Sequence, residues 1–306
     1  MKTFKRNDTA PAPLVPPDDE HVISKTWKSD ETLVDIICAT FQHEDFIEDA
    51  LNGFLAQKTD FRFRIIVRDD CSSDSTVDIL RRYELKYPSI IKGIYEPFNK
   101  WPAVKLGVVL RNASKSKYLA ECEGDDYWID EYKLQKQFDY LESHDDVVLL
   151  KTRTVWIEGG KVIEPSVEGG TRTHMSRNNL MIPINYRRFI FFGDTYYQAM
   201  LNKYGKTALL DEVTAVWRKH SGGVFSSLLD SDNRVLNMHR SQTQAWIAQQ
   251  FYDDGDDALA NRHMASSIRL FFKTMKLKDT LLVLSLLLYS STRRIVGSAL
   301  RVLHLR

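Results

Sequence analysis

Between residues 33 and 122 four short apolar runs rich in β-branched residues are separated by three segments with helical spacing, an alternation that leaves few folds open. The strand-like runs are 33–39 (LVDIICA), 62–68 (RFRIIVR), 90–95 and 117–122. The first helical segment, 44–57, repeats apolar residues at Phe46, Ile47, Ala50, Leu51, Phe54 and Leu55. The second follows a turn at 69–76, whose Ser73 or Asp74 can cap it, and carries Val77, Ile79, Leu80 and Tyr83. The third covers 103–112. Strand–helix–strand units in series build right-handed crossovers and a doubly wound, mostly parallel sheet.

Ligands of such sheets bind beyond the carboxyl ends of the strands, and the polar clusters of this chain fall there: 40–44, 69–76, 96–101 and 123–127. The last cluster closes the stretch YLAECEGDDYW, residues 118–128, and places Glu123, Asp125 and Asp126 around Gly124. An all-oxygen cluster at a strand end suits a hard cation such as Mg2+ or Mn2+ that itself holds phosphate oxygens. Taken alone, the stretch reads equally well as a solvated acidic turn before a helix near Asp130. Four strand ends meeting on one rim favour a functional site.

The second half departs from simple alternation. A helix with Leu134, Phe138 and Leu141 leads to an apolar run at 147–157, and Gly159-Gly160 turns it back into Val162-Ile163, an antiparallel edge. Residues 169–179 are polar and read as a mobile loop. Asp194 follows the apolar run 188–192 and opens a helix, where it fits a plain N-cap. A strand over 209–217 ends in Arg218-Lys219-His220, and a lone His there is more often structural than a ligand.

Composition sets the outer limits. Three cysteines, Cys38, Cys71 and Cys122, have neither pairing rhythm nor zinc spacing and point to a reduced, cytoplasmic protein. The basic start of the chain lacks an apolar core, so it does not read as a signal peptide, and four prolines within 11–17 suggest a flexible arm over 1–32. From residue 261 onward nine Lys or Arg face one acid, Asp279, for a formal +8 on a whole-chain charge of +1. The apolar run 281–289 is too short to span a bilayer. The basic, leucine-rich residues after it can lie on an anionic membrane at the inner face of the cell membrane, or pack on the domain or a second copy of the chain. Without aromatic interleaving they do not suggest a nucleic-acid binder.

The strings ICATFQHEDFIEDAL, IIVRDDCSSDSTVDIL, KYLAECEGDDYWIDEYKLQKQFDYL, GDTYYQAMLNKYG and VWRKHSGGVFS together resemble the family 2 glycosyltransferases of bacterial surface-polysaccharide synthesis, which have the GT-A fold. The resemblance covers about residues 33–225 and implies a catalytic domain with a nucleotide-binding half, 33–130, and an acceptor-binding half, 131–225. A helical region, 226–306, follows it. It further implies an inverting transferase that moves a sugar from a nucleotide diphosphate, a UDP-sugar, to a glycan or lipid-linked glycan with the help of Mn2+ or Mg2+. By the same resemblance Ala39, Thr40, Phe41, Glu44, Asp70, Lys105 and Asp125 would contact the donor, with Asp70 on the uracil. Asp126, Asp125, Glu123 and His220 would hold the metal, and Asp194 would be the base. The chain departs from the family at Ala39, where a proline is usual, and at Asn99-Lys100-Trp101-Pro102, where Asn-Val-Gly is usual. A nucleotidyltransferase shares the α/β layout but would carry a Gly-rich basic loop where this chain reads ATFQHED. A non-catalytic nucleotide-sugar-binding module would have no use for Asp194.

Overall fold

A computed structural model describes residues 3–101, 106–182, 190–230 and 233–274. The elements in order are α1 (Glu20–Ser24), β1 (Thr32–Thr40), α2 (Ile47–Leu55), β2 (Arg62–Asp69), α3 (Thr76–Lys86), β3 (Ile91–Tyr95), α4 (Leu106–Ala113) and β4 (Tyr118–Glu121). There follow β5 (Tyr127–Trp128), α5 (Lys133–Ser143), β6 (Val147–Glu158), β7 (Lys161–Glu168), a 3-10 turn at Thr171–Thr173, β8 (Met175–Arg177), α6 (Gly193–Leu201), β9 (Lys206–Lys219), α7 (Val224–Asp230), α8 (Asn233–Asp253) and α9 (Asp257–Phe272). The described strands form one sheet in the order β3-β2-β1-β4-β8-β6-β9-β5, with β7 on β6.

The first half of the sheet follows the alternation. β3, β2, β1 and β4 are all parallel, and successive residues of β1 and β2 face opposite layers. Ile36, Cys38, Ile65 and Val67 enter the core that also takes Leu51 and Phe54 of α2 and Leu80 of α3, whereas Ile37 and Ile66 meet Leu110 of α4. The period-two side-chain alternation of a strand is what lets one short apolar run feed two layers.

The second half differs from the sequence reading in two places. The antiparallel hairpin of β6 and β7 is present, with β7 on β6 alone among the named strands, but β6 itself also carries β9 alongside in parallel and β8 antiparallel. Residues 169–179 are not simply a mobile loop. Gly169 and Gly170 adopt φ of 84° and 86°, open only to glycine at low cost, and turn the chain into β8, which bridges β4 and β6. Met175 and Ser176 are fully buried there. Three residues between polar flanks are too few to carry an alternation signal.

The proline-rich arm is held at several points. Asn7 N donates to Val162 O, Val162 N to Asp8 O and Ala10 N to Gly160 O at 2.8–2.9 Å, along the Gly159-Gly160 hairpin. The Tyr127 and Tyr87 hydroxyls donate to the carbonyls of Pro11 and Pro17. Proline has no N–H, but its carbonyl remains a full acceptor.

The chain divides into two compact units, residues 1–227 and 228–306. In the second, α8 and α9 pack together, with Ser241 Oγ on Ser267 O at 2.9 Å and Phe251 stacked on His263. The acidic break between them is a turn in which Gly255 takes φ 80° and Asp256 caps α9 at Leu259 N. No helix among the described residues is long and apolar enough to cross a membrane. The basic stretch expected at a membrane, 281–306, lies outside the described residues, as does Lys105.

Lys133, fully buried at the start of α5, sits 4.1 Å from the centre of the Trp128 ring and donates to Gln137 Oε1 at 2.6 Å. Burial pushes its ammonium down to about 7, only partly opposed by Cys122 and Asp130. The unfolded chain binds this proton up to pH 10.5 and the folded chain only below about 7, so this lysine costs stability most at low pH and least as pH rises through that window. Wild-type Tm should therefore climb by several degrees between pH 7 and 9.5, and Lys133→Met should flatten that rise. Equal slopes for the two proteins would show that Lys133 stays charged in the fold.

Candidate functional site

The rim at the carboxyl ends of β1, β2 and β4 is zipped by backbone. Asp70 N donates to Thr40 O at 3.1 Å, Gly124 N to Ala39 O at 2.9 Å and Cys122 N to Ile37 O at 3.2 Å. Gly124 is required by space: a Cβ there would lie 2.8 Å from Thr40 Oγ1 and 2.9 Å from Ile47 Cδ1.

The two acidic neighbours in EGDD face different partners. Asp126, 1% exposed, accepts from Arg172 Nε at 2.5 Å and from the Arg218 amide at 2.9 Å. Burial drives its carboxyl upward, Arg172 opposes this, and Asp125 and Glu123 add to the rise. Asp125 Oδ2 lies 3.1 Å from His220 Nε2 and 3.9 Å from His43 Nε2. Burial would raise Asp125 as well, but the two histidines more than offset it and hold the carboxyl below its usual range. Glu123 accepts the Thr171 hydroxyl at 2.5–2.6 Å, and burial raises it. Arg218 ties the loop to β9 and α2, reaching Asp125 O at 3.1 Å and the Asp49 carboxylate, with its guanidinium 4.2 Å from the Tyr127 ring centre.

Among the described residues no three His, Cys, Asp or Glu side chains converge on one cation position. Asp125 and His220 present a carboxylate and an imidazole within 3.1 Å of each other. The carboxylate suits Mg2+ or Mn2+, whereas an imidazole nitrogen beside it favours a transition ion such as Mn2+ over Mg2+, whose ligands are oxygens.

The residues expected to contact the donor divide. Ala39 lines a cavity of about 480 Å3, next to buried Thr40, whose hydroxyl meets His43 Nδ1 at 3.1 Å, and the Phe41 ring is 37% exposed. Asp70 is buried and already engaged. Its oxygens accept from Lys100 N at 3.1 and 3.2 Å and Trp101 N at 3.0 Å, with Arg68 at 3.3 Å. A uracil N–H reaching Asp70 must share those lone pairs or displace the loop amides. Glu44 braces the next turn: its carboxylate accepts Ser75 N at 2.9 Å while its own amide donates to Asp74 at 3.1 Å.

Asp194 and Glu123 both line the cavity. Phe192 holds the cap position of α6 and no side chain caps that helix, so the carboxylate of Asp194 is not used as a cap. Trp101, Trp156, Phe191, Phe192 and Phe225 supply an aromatic wall, with Trp101–Phe191 and Phe191–Phe192 ring centres 6.3 and 5.2 Å apart. Sequence reading missed Arg172, Arg218, His43, Arg111 and Glu121. The available signals were cations in the 169–179 and 218–220 strings, with no indication of which carboxylate each would meet.

The family model described as Glycosyl transferase family 2 matches residues 35–205. An uncharacterized protein of Mycobacterium tuberculosis is 32% identical over 212 residues, 63% of this chain and 60% of its own. This chain thus spans about 60% of the length of the mycobacterial proteins it matches. The putative teichuronic acid biosynthesis glycosyltransferase TuaG of Bacillus subtilis is 35% identical over 115 residues, 38% of this chain and 43% of TuaG. Among solved structures, residues 1–349 of Staphylococcus aureus TarS in complex with UDP-GlcNAc superpose with a TM-score of 0.56 at 17% identity, over 80% of this chain and 77% of that one. That likeness establishes the GT-A arrangement of the sheet. With the family model covering more than half of its length, the chain belongs to glycosyltransferase family 2.

Proposed function

We propose that this protein transfers a sugar from a UDP-sugar to a hydroxyl of a glycan or lipid-linked glycan acceptor in surface-polysaccharide synthesis, with inversion at the anomeric carbon. One observation carries the reading: Glu123 of the acidic loop and Asp194, a carboxylate not used as a cap, line the same cavity. The family supports the reaction class. UDP-GlcNAc in TarS, and GDP-Man with Mn2+ in a Pyrobaculum calidifontis mannosyltransferase with a TM-score of 0.52, support a nucleotide-sugar donor.

In this mechanism Asp194 takes the proton of the attacking acceptor hydroxyl on the face opposite the leaving diphosphate. Asp125 and His220 would hold the Mn2+ or Mg2+, which supplies charge neutralisation to the diphosphate. Asp126 stays on Arg172 and Arg218 and fixes the loop that presents Asp125. Asp70, Ala39, Thr40 and Phe41 form the base subsite.

A screen of UDP- and GDP-sugars for binding and slow hydrolysis, with and without Mn2+, tests the reading. UDP-sugars are expected to bind, more tightly with Mn2+, and His220→Ala should weaken the metal effect while sparing metal-free binding. Absence of any nucleotide-sugar binding, together with indifference to metal, would sink it. Contact of the C-terminal basic residues with anionic membrane, or self-association, belongs to the same proposal and is read by vesicle co-sedimentation and by mass in solution.

A further inference from the structure

Of the apolar residues that mark the first helix, Ile47, Ala50, Leu51, Phe54 and Leu55 enter the core, and Phe46 does not join them. Phe46 stands in the cap position of α2 and makes no side-chain cap bond, in a place where Ser, Thr, Asp or Asn would stabilise the helix. A local choice that gives nothing to its own element directs attention to what the ring touches.

The ring faces the basic side chains around the acidic loop. Its centre lies 4.6 Å from that of the His220 imidazole and 6.4 Å from that of His43, and the Arg218 guanidinium carbon is 5.3 Å from it. The backbone locks His43 and Phe46 into one turn, in which His43 O accepts from both Phe46 N and Ile47 N at 2.9 Å. Phe46 is half-buried, and the side chains of His220 and Asp125 are 16% and 18% exposed, so the pair is open to a cation from solvent.

An imidazole that takes a metal ordinarily has its second nitrogen held by a hydrogen bond, which fixes the plane of the ring. His220 lacks that bond among the described residues: Nε2 meets Asp125 Oδ2 at 3.1 Å, and Nδ1 has no protein partner. One polar contact leaves the ring to turn about its bond to Cβ, a torsion with a broad minimum. A flat neighbour 4.6 Å away restricts that turn by packing. The same neighbour lies against Arg218, whose amide holds the Asp126 carboxylate and whose guanidinium holds Asp125 O.

We propose that Phe46 is a positioning residue of the metal site: its ring sets the plane of the His220 imidazole beside Asp125, so that the two are presented together to Mn2+ bound with the nucleotide diphosphate. This rests on the reading of Asp125 and His220 as ligands of the ion.

The factor by which Mn2+ tightens UDP binding, measured by calorimetry on the full chain, tests it. Wild type is compared with Phe46→Leu, Phe46→Tyr, His220→Ala and the double variant Phe46→Leu/His220→Ala. UDP affinity without metal is expected to be the same for all, which also reports that they are folded. Phe46→Leu should lower the Mn2+ factor by roughly tenfold, and Phe46→Tyr, which restores a flat ring, by less than about twofold. On the His220→Ala background Phe46→Leu should cost little more, because a residue that acts through His220 has nothing left to position. A folded Phe46→Leu with the wild-type Mn2+ factor overturns the inference, as does a loss that adds in full to that of His220→Ala. Phe46→Met is the second variant should Phe46→Leu not fold, and failure of both to bind metal-free UDP would assign the ring to the stability of the fold and overturn it too. A wild type that binds UDP with no response to Mn2+ removes the metal reading beneath the inference, and one that binds no UDP removes the nucleotide-sugar reading, both distinct from these results.

Discussion

Asp194→Asn is expected to lower sugar transfer by about 10^3-fold while leaving UDP-sugar affinity within roughly a factor of two. The substitution keeps the volume of the side chain and removes its basicity. Asp194 sits in the first turn of α6, where the residue in the cap position is Phe192 and no side chain caps the helix, so the asparagine should not unfold it. The loss belongs in kcat, because a base acts on the acceptor proton during transfer and contributes little to holding the donor. Single-turnover transfer with a saturating donor reads it directly. Turnover at the wild-type rate would remove Asp194 from the chemistry and return the site to a nucleotide-sugar-binding module.

Arg172→Met should be the most destabilising single change at the site. Arg172 Nε reaches Asp126 at 2.5 Å, and the side chain of Asp126 is 2% exposed. Removing the guanidinium leaves a buried carboxylate with the Arg218 amide as its remaining hydrogen-bond donor. Breaking such a pair from one side costs about 3–5 kcal/mol, on the order of a 10 °C fall in Tm for a domain of this size. The double variant Arg172→Met/Asp126→Asn should recover much of that loss, because it removes the charge along with its partner. Thermal melts of the wild type, both single variants and the double variant close the cycle. A single Arg172→Met variant as stable as the wild type would contradict the ion-pair account of the loop.

Both predictions turn on distinctions the linear chain carries unevenly. The parallel half of the sheet was legible because strand and helix periods are local: Ile36 and Ile37 are consecutive residues that feed opposite layers. The hairpin was legible because Gly159 and Gly160 both take positive φ, at 55° and 74°. β8 was not. It is three residues long, is buried by its neighbours β4 and β6, and follows a polar turn whose purpose is to deliver Arg172.

The acidic loop shows the division most sharply. By itself the sequence determined that Glu123, Asp125 and Asp126 stand at the end of a strand beside three other polar strand ends, and that Asp194 opens a later helix. Backbone periodicity and chain order carry that much. Only the tertiary structure decided that Asp126 meets Arg172, 46 residues on, and the amide of Arg218, 92 residues on, while Asp125 turns to His220. The pairing of β5 with β9 and the turn at Gly169-Gly170 bring those cations in. Two adjacent carboxylates with the same chemistry differ in role only through which charges the fold sets against each of them.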